Sequence, residues 1–160
     1  MKMFGKELAA PEAEVVVLPR SGASEDLVFK IQVVLNRDSF EEVYPRPEPG
    51  YITMAGEDTK PDLEDEKYLE KLDERVGAEL QWLFLKSLEA TDGLAWDTVD
   101  ITKPSTWDKW PEEMSQAGVP EAHQTYLYNR SMEINGFSTS AIEKATKAFL
   151  AGQGVRLDLS

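Results

Sequence analysis

The apolar residues of this chain repeat with two different periods, and the change between them most constrains the fold. In residues 27–35 they occupy every second position, which is typical of a half-buried strand. In residues 64–90 they recur at steps of three and four, as on one face of a helix. A proline-rich stretch, residues 36–62, separates the two patterns. The sequence therefore predicts an α+β fold, with an N-terminal β-hairpin followed by a mainly α-helical body.

The predicted hairpin pairs residues 14–18 with residues 27–35. The first of these segments is stopped by Pro19, and a turn-forming stretch connects the two. Residues 51–54 offer a third short strand, which would extend the hairpin into a small sheet, while Phe40 and Tyr44 have the spacing of one helical turn. Two strands alone are marginal in water, so we expect the hairpin to pack on a helix or to pair with a neighbouring subunit.

The helical body begins with the long amphipathic helix of residues 64–90. Pro104 starts a further helix. Pro111 either limits that helix or begins a second one, residues 111–117. Residues 119–134 form another predicted helix, which Asn135 and Gly136 end as a C-cap. A capping box of Ser140 and Glu143 starts the last helix, and Gly152 is expected to end it. The predicted organisation is a hairpin region with a proline-rich loop at 1–62, a helical body at 63–151 and a flexible tail at 152–160.

The charge and the composition of the chain argue against several classes of function. Thirty acidic and seventeen basic residues give a net charge of −13, which opposes binding to phosphate backbones and anionic lipids. The chain has no cysteine, which excludes thiolate metal sites and cysteine nucleophiles. Its start lacks the apolar core of a signal peptide, and no apolar run is long enough to span a bilayer. We therefore expect a cytosolic protein that binds neither nucleic acid nor membrane.

No residue pattern points to catalysis. His123 is the only histidine, and we interpret it as a packing or surface residue beside the apolar stripe of its helix. Phosphate-binding glycine loops and calcium loops are not matched anywhere in the chain. The sequence predicts no catalytic residues, no organic cofactor and no metal site, although composition alone leaves a small hydrolase open.

The aromatic residues are unevenly distributed. Trp82, Trp96, Trp107 and Trp110 lie close together in the sequence. One interpretation is that they fill a helical core, because tryptophan is usually largely buried. The other is that some of them form a surface for a partner, because aromatic residues dominate interface hot spots. Trp107 and Trp110, which are flanked by charged residues and prolines, are the best candidates for such a surface.

The order of aromatic and proline motifs resembles that of the tail assembly chaperones of long-tailed bacteriophages. The motifs are Phe40-Glu41-Glu42-Val43-Tyr44-Pro45-Arg46-Pro47-Glu48-Pro49-Gly50, Leu85-Lys86-Ser87-Leu88-Glu89-Ala90, Trp96-Asp97-Thr98-Val99, Pro104-Ser105-Thr106-Trp107 and Ala148-Phe149-Leu150. The likeness covers residues 13–150, and its motifs carry no catalytic content. It is more specific for a phage morphogenesis protein in general than for one particular role.

The resemblance implies a non-enzymatic protein of the host cytoplasm. Such a chaperone keeps the tape-measure protein soluble and brings tail-tube subunits to it. On this basis the candidate partner-binding residues are Phe40, Tyr44, Trp82, Trp107 and Trp110. The alternative is a structural virion component, a tail or head-completion protein, and a homo-oligomer formed through the hairpin edge also stays open.

Overall fold

The computed structural model describes residues 1–20, 22, 25–56, 58–137 and 139–158, and it has the predicted α+β architecture. Short antiparallel strand pairs lie mostly in the N-terminal part, and a helical body follows. The strands are β1 (Lys2–Met3), β2 (Lys6–Glu7), β3 (Glu14–Leu18), β4 (Leu27–Ile31), β5 (Tyr51–Ile52) and β6 (Lys60–Pro61). The helices are α1 (Asp38–Val43), α2 (Glu66–Ser87), α3 (Trp110–Gln116), α4 (Glu121–Ile134) and α5 (Thr139–Asp158).

Strands β3 and β4 form the predicted hairpin, with Val16 opposite Phe29 and Leu18 opposite Leu27. The side chains alternate between two faces, as the period of two requires. Val16, Leu18, Phe29 and Ile31 are buried against the helical body. The opposite face of the hairpin carries Val15, Val17 and Val28, each about half exposed.

The second strand of the hairpin is shorter than predicted. We expected it to reach Leu35, but β4 ends at Ile31. Beyond that point the backbone leaves β3 and bonds to the helical body: the Gln32 N–H donates to the carbonyl of Ser87 at 3.0 Å. The Val34 N–H likewise donates to the side-chain oxygen of Asn135 at 2.8 Å. The predicted alternation is not kept past the strand, since Val34 packs against the core while Leu35 is 75% exposed.

The proline-rich segment contains both of the elements that the sequence left open, without enlarging the hairpin. Phe40 lies in α1, the predicted helical turn, and its side chain is fully buried. Strand β5 pairs with β6 rather than with the hairpin. The strand pairs of the described residues therefore stay two-stranded.

Helix α2 is the predicted amphipathic helix and the centre of the fold. Asp65 caps its N-terminus, where the carboxylate accepts a hydrogen bond from the Lys67 N–H. Its first half is charged and largely exposed, whereas in its second half four consecutive residues are buried. These four are Trp82, Leu83, Phe84 and Leu85. A helix that is apolar nearly all round needs cover on several sides, and the hairpin, α3 and α4 provide it.

The next helices follow the sequence signals closely. Residues Pro104–Lys109 form a 3₁₀ helix, which α3 continues from Trp110. Helix α4 ends at Asn135 and Gly136, as predicted. Gly136 has a φ of 87°, a left-handed conformation that glycine adopts without steric cost. The Phe137 N–H then bonds to the carbonyl of Met132 at 2.9 Å and closes the end of the helix.

Helix α5 differs from its prediction at both ends. It begins at Thr139, so Ser140 is its second residue and not the N-cap of a capping box. It continues to Asp158, so Gly152 does not end it, and the predicted tail after residue 151 is helical to that point. Glycine inside a helix costs only about 1 kcal/mol relative to alanine, which is too little to stop a helix by itself.

Candidate partner-binding surfaces

Four of the five candidate partner-binding residues form one aromatic cluster. The ring of Phe40 lies 5.6 Å from that of Tyr44, 5.6 Å from that of Trp82 and 6.0 Å from that of Trp107, measured between centroids. Helix α1 with its C-cap residue, the second half of α2 and the 3₁₀ helix Pro104–Lys109 supply these rings. The spacing of four between Phe40 and Tyr44 stacks the first pair of rings on one side of α1.

The fifth candidate, Trp110, belongs to a second cluster. Its ring lies 4.5 Å from that of Phe84 and is stacked on Tyr128 at 6.0 Å. This cluster joins α2 to α3 and α4. Burial raises the pKa of the Tyr128 phenol above its ordinary value.

The candidates are core residues rather than surface residues. Phe40 is 0% exposed, Trp82 and Trp107 are each 1% exposed, and Trp110 is 6% exposed. Tyr44 is partly buried against them. A side chain without exposed surface offers nothing to a partner in this conformation, so the structure favours the core interpretation. Partner binding by these five residues stays a prediction, and the described contacts give it no support.

The buried indole groups are also hydrogen-bonded within the protein. The Trp107 N–H donates to the carbonyls of Asp100 and Ile101, both at 3.2 Å. The Trp110 N–H donates to the side-chain oxygen of Gln81. Trp107 thereby anchors the loop before it, because a buried indole N–H needs a partner.

Arg75 closes the first aromatic cluster on the α2 side. Its guanidinium lies 4.8 Å from the centroid of Phe40, and its Nη2 atom is 2.7 Å from the Glu41 carboxylate. The side chain is almost fully buried. A cation over an aromatic face that is also paired with a carboxylate is stabilising, so this arginine has a structural role.

The loop of residues 97–98 is held by Glu113 of α3. Its carboxylate accepts hydrogen bonds from the Asp97 N–H at 2.7 Å, the Thr98 N–H at 3.0 Å and the Thr98 hydroxyl at 2.6 Å. Desolvation opposes ionisation of Glu113, but these bonds together hold its pKa below the ordinary value. A cleft of about 580 Å³ borders this loop, lined by Trp96, Val99 and their neighbours.

Among the described residues, no group of three or more histidine, aspartate or glutamate side chains could hold a metal ion. His123 lies apart from the 580 Å³ cleft, in the groove between β3 and α4, and its Nδ1 atom is buried without a hydrogen-bond partner. None of the described helices is long and apolar enough to cross a membrane.

Helix α5 carries an exposed apolar surface that the predicted site residues do not include. Ile142 is 67% exposed, Phe149 63% and Leu150 58%. All described side chains from Thr139 to Gly152 are exposed, so this part of the helix does not pack into the core. The spacing of Ile142, Ala145 and Phe149 places them on one face. That spacing was visible in the sequence, but it does not reveal whether the face is covered.

The hairpin provides a second apolar surface. Val15, Val17 and Val28 form a patch on its outer face, and β3 borders a groove of about 440 Å³ with His123, Tyr126 and Arg130 of α4. The run Val15-Val16-Val17-Leu18 is the sequence signal for this patch. A strand with consecutive apolar residues is apolar on both faces.

Comparison of the chain with protein-family models gave no match, and comparisons with curated proteins and with solved structures gave no significant match.

Proposed function

We propose that this protein is a tail assembly chaperone of a long-tailed bacteriophage, which binds the tape-measure protein in the host cytoplasm during virion assembly. The order of motifs along the chain, from Phe40 to Leu150, is the basis for naming this partner. The protein acts by binding and carries out no catalytic step. Tail-tube subunits are the second class of partner under this proposal.

The exposed apolar face of α5 is the single observation that carries the proposal. Phe149 and Leu150 belong to the last motif of the resemblance, and both are more than half exposed. A chaperone that binds an apolar, helical client needs such a surface outside its own core. Amphipathic helices commonly bind by placing their apolar face into a groove of the partner.

The energetics of α5 also favour a bound partner. Gly152 lies inside α5, and glycine weakens a helix. Most of the stability of a protein helix comes from packing of its apolar face. Cover from another protein would supply the packing that the described part of α5 lacks in the free chain.

The surface charge suits a carrier of an aggregation-prone client. A net charge of −13 favours solubility of the chain while α5 is free. The two lysines of the helix, Lys144 and Lys147, lie away from the face that carries Ile142 and Phe149. Between Thr139 and Gly152, the centre of the apolar face therefore carries no charged residue.

Coexpression with the tape-measure protein of the same phage tests this proposal. The wild-type chain should raise the soluble fraction of the tape-measure protein, and Ile142→Asp together with Phe149→Asp should abolish the increase. Leu35→Asp is the matched control, because Leu35 is 75% exposed but lies outside α5. Tryptophan fluorescence should be unchanged in both variants, since neither site contacts the aromatic core.

Two outcomes would contradict the proposal. The first is coexpression that leaves the tape-measure protein insoluble while the chain is found at fixed copy number in purified virions, which is the result expected of a structural virion component. The second is equal behaviour of the α5 variant and the Leu35 control, which would show that α5 is not the binding surface.

A further inference from the structure

The two outer edges of the hairpin are not equivalent. On the outer edge of β4, the Lys30 N–H donates to the Thr91 hydroxyl at 2.9 Å, and that hydroxyl donates to the Lys30 carbonyl at 3.2 Å. The Gln32 N–H, two residues further on, bonds to the Ser87 carbonyl. The end of α2 and the turn after it therefore cover this edge.

The same bonds fix the direction of the backbone groups on β3. The N–H and the carbonyl of Lys30 both point away from β3. Lys30 and Val15, which lie opposite each other, are therefore a non-hydrogen-bonded pair of the antiparallel ladder. Every second residue shares this orientation. The N–H and carbonyl groups of Val15 and Val17 consequently point away from β4, into the groove beside α4.

These four backbone groups have no hydrogen-bond partner among the described residues. An uncovered strand edge of this kind is a template for another strand. The arrangement is also self-complementary. If two copies of β3 run antiparallel and are centred on Val16, Val15 of each faces Val17 of the other, and all four groups of each copy are paired.

The side chains fit the same register. Val15 and Val17 lie on the outer face of both copies, so valine packs beside valine across the new boundary. Glu14 would lie opposite Leu18 of the other copy rather than opposite a second glutamate. Its charge is already matched within its own chain, because Arg130 donates two hydrogen bonds to it at 2.6 Å. No unpaired like charges meet along the two strands.

We propose that the free edge of β3 binds the β3 strand of a second copy of this chain, which gives a symmetric dimer with a continuous four-stranded antiparallel sheet. The dimer joins two hairpins that are each marginal alone. The proposal goes beyond the proposed chaperone function without depending on it.

Light scattering across a concentration series tests the proposal. The measured mass should rise from 18.0 kDa towards twice that value. Added salt should strengthen the dimer, since two chains of net charge −13 repel each other.

Val17→Pro removes an outward N–H and no hydrogen bond of the hairpin. It removes two hydrogen bonds per dimer and should raise the dissociation constant about 30-fold.

Val28→Pro is the matched control. Val28 lies opposite Val17, is equally exposed and has its own N–H on the outer edge of β4. This variant should dimerise like the wild type. Circular dichroism establishes that both variants remain folded.

Cross-linking supplies a second readout that does not require proline to be tolerated. The chain has no cysteine, so single-cysteine variants react only at the chosen position. Directly opposite residues lie about 5.5 Å apart between Cα atoms, which suits a disulfide, whereas diagonal residues lie too far apart. Mixing Val15→Cys with Val17→Cys should therefore give mixed disulfide dimers in preference to either homodimer.

Three results would overturn the proposal. The wild-type chain could stay at the monomer mass at every concentration and salt, Val17→Pro could dimerise as well as Val28→Pro, or the cysteine variants could cross-link without preference for the mixed pair. Dimers lost on deletion of α5 but not on changing β3 would assign self-association to α5 instead.

Discussion

The side-chain amide of Asn135 donates a hydrogen bond to the hydroxyl of Ser87 at 2.8 Å, which joins the end of α4 to the end of α2. The same amide group also donates to the Ser131 carbonyl, and its oxygen accepts from the Val34 N–H. One side chain therefore connects the segment after the hairpin with both helices. It is the residue that the sequence identified only as a C-cap.

Replacing this asparagine should destabilise the fold. Asn135→Ala leaves the Val34 N–H and the Ser87 hydroxyl without their partner, which should lower the free energy of unfolding by about 1–3 kcal/mol. Urea denaturation followed by circular dichroism measures the change. Asn129→Ala, an exposed asparagine of the same helix, should change stability by less than about 0.5 kcal/mol. Equal effects of the two substitutions would contradict the proposed connection.

Trp107 belongs to the aromatic core, so its replacement should destabilise the fold. Trp107→Ala removes a fully buried side chain and the anchor of the loop carbonyls at residues 100 and 101, and it should cost about 3–5 kcal/mol. That is a large part of the total stability of a domain of this size. Thermal unfolding should show a lowered midpoint. A Trp107→Ala variant with unchanged stability and weaker partner binding would show that Trp107 belongs to a partner-binding surface and not to the core.

The ion pair between Glu14 and Arg130 predicts a pH dependence. The hydrogen bonds from Arg130 hold the pKa of Glu14 below its ordinary value of 4.5 in the folded protein. The pair therefore stabilises the fold above pH 4.5, and this contribution is lost as the pH falls through the lowered pKa. Both side chains are more than a third exposed, which keeps the effect below about 1 kcal/mol.

Glu14→Gln measures this contribution. The variant should be less stable than the wild type at pH 7, and the two unfolding curves should converge in acid. Glu12→Gln makes the same change of charge on an exposed neighbour and serves as the control. A difference that grows as the pH falls would contradict the assigned sign.

Two glycines should respond in opposite directions to alanine. Gly152 lies inside α5 with open space where a Cβ would be, so Gly152→Ala should stabilise the helix by about 1 kcal/mol. Gly136 has a φ of 87°, so Gly136→Ala should strain the end of α4 and destabilise the fold. Hydrogen exchange of the amides in each helix separates the two effects. Slower exchange in α5 is expected for the first variant only.

The sequence predicted those elements whose signals are local. The period of α2, the alternation of the hairpin and the Asn135-Gly136 end of α4 all depend on neighbours a few residues apart. The end of β4 at Ile31 was not predictable in this way. It depends on Ser87 and Asn135, which are distant in the chain. Both accept hydrogen bonds from the backbone that follows the strand.

The candidate surface was harder to predict than the fold. Trp107 and Trp110 look alike in sequence whether they face a partner or a core, because aromatic residues are enriched in both. Ile142 and Phe149 have the spacing of an ordinary core-facing helix, yet they are exposed. Burial of a helix face depends on which other elements pack against it. The residue pattern of a single helix does not determine that packing.

The hydrogen bond between Val34 and Asn135 spans 101 positions of the chain, and the contact of Arg130 with Glu14 spans 116. During translation at about 5–20 residues per second, the hairpin therefore waits some 5–20 s before α4 has been made. The outer edge of β4 is covered earlier, by Ser87 and Thr91. Until α4 has been made, the outer edge of β3 is open to nascent neighbours on the same polysome. Docking of the hairpin should be a late event of folding, and slow synthesis of residues 36–135 would prolong the interval in which the chain is most prone to pair incorrectly.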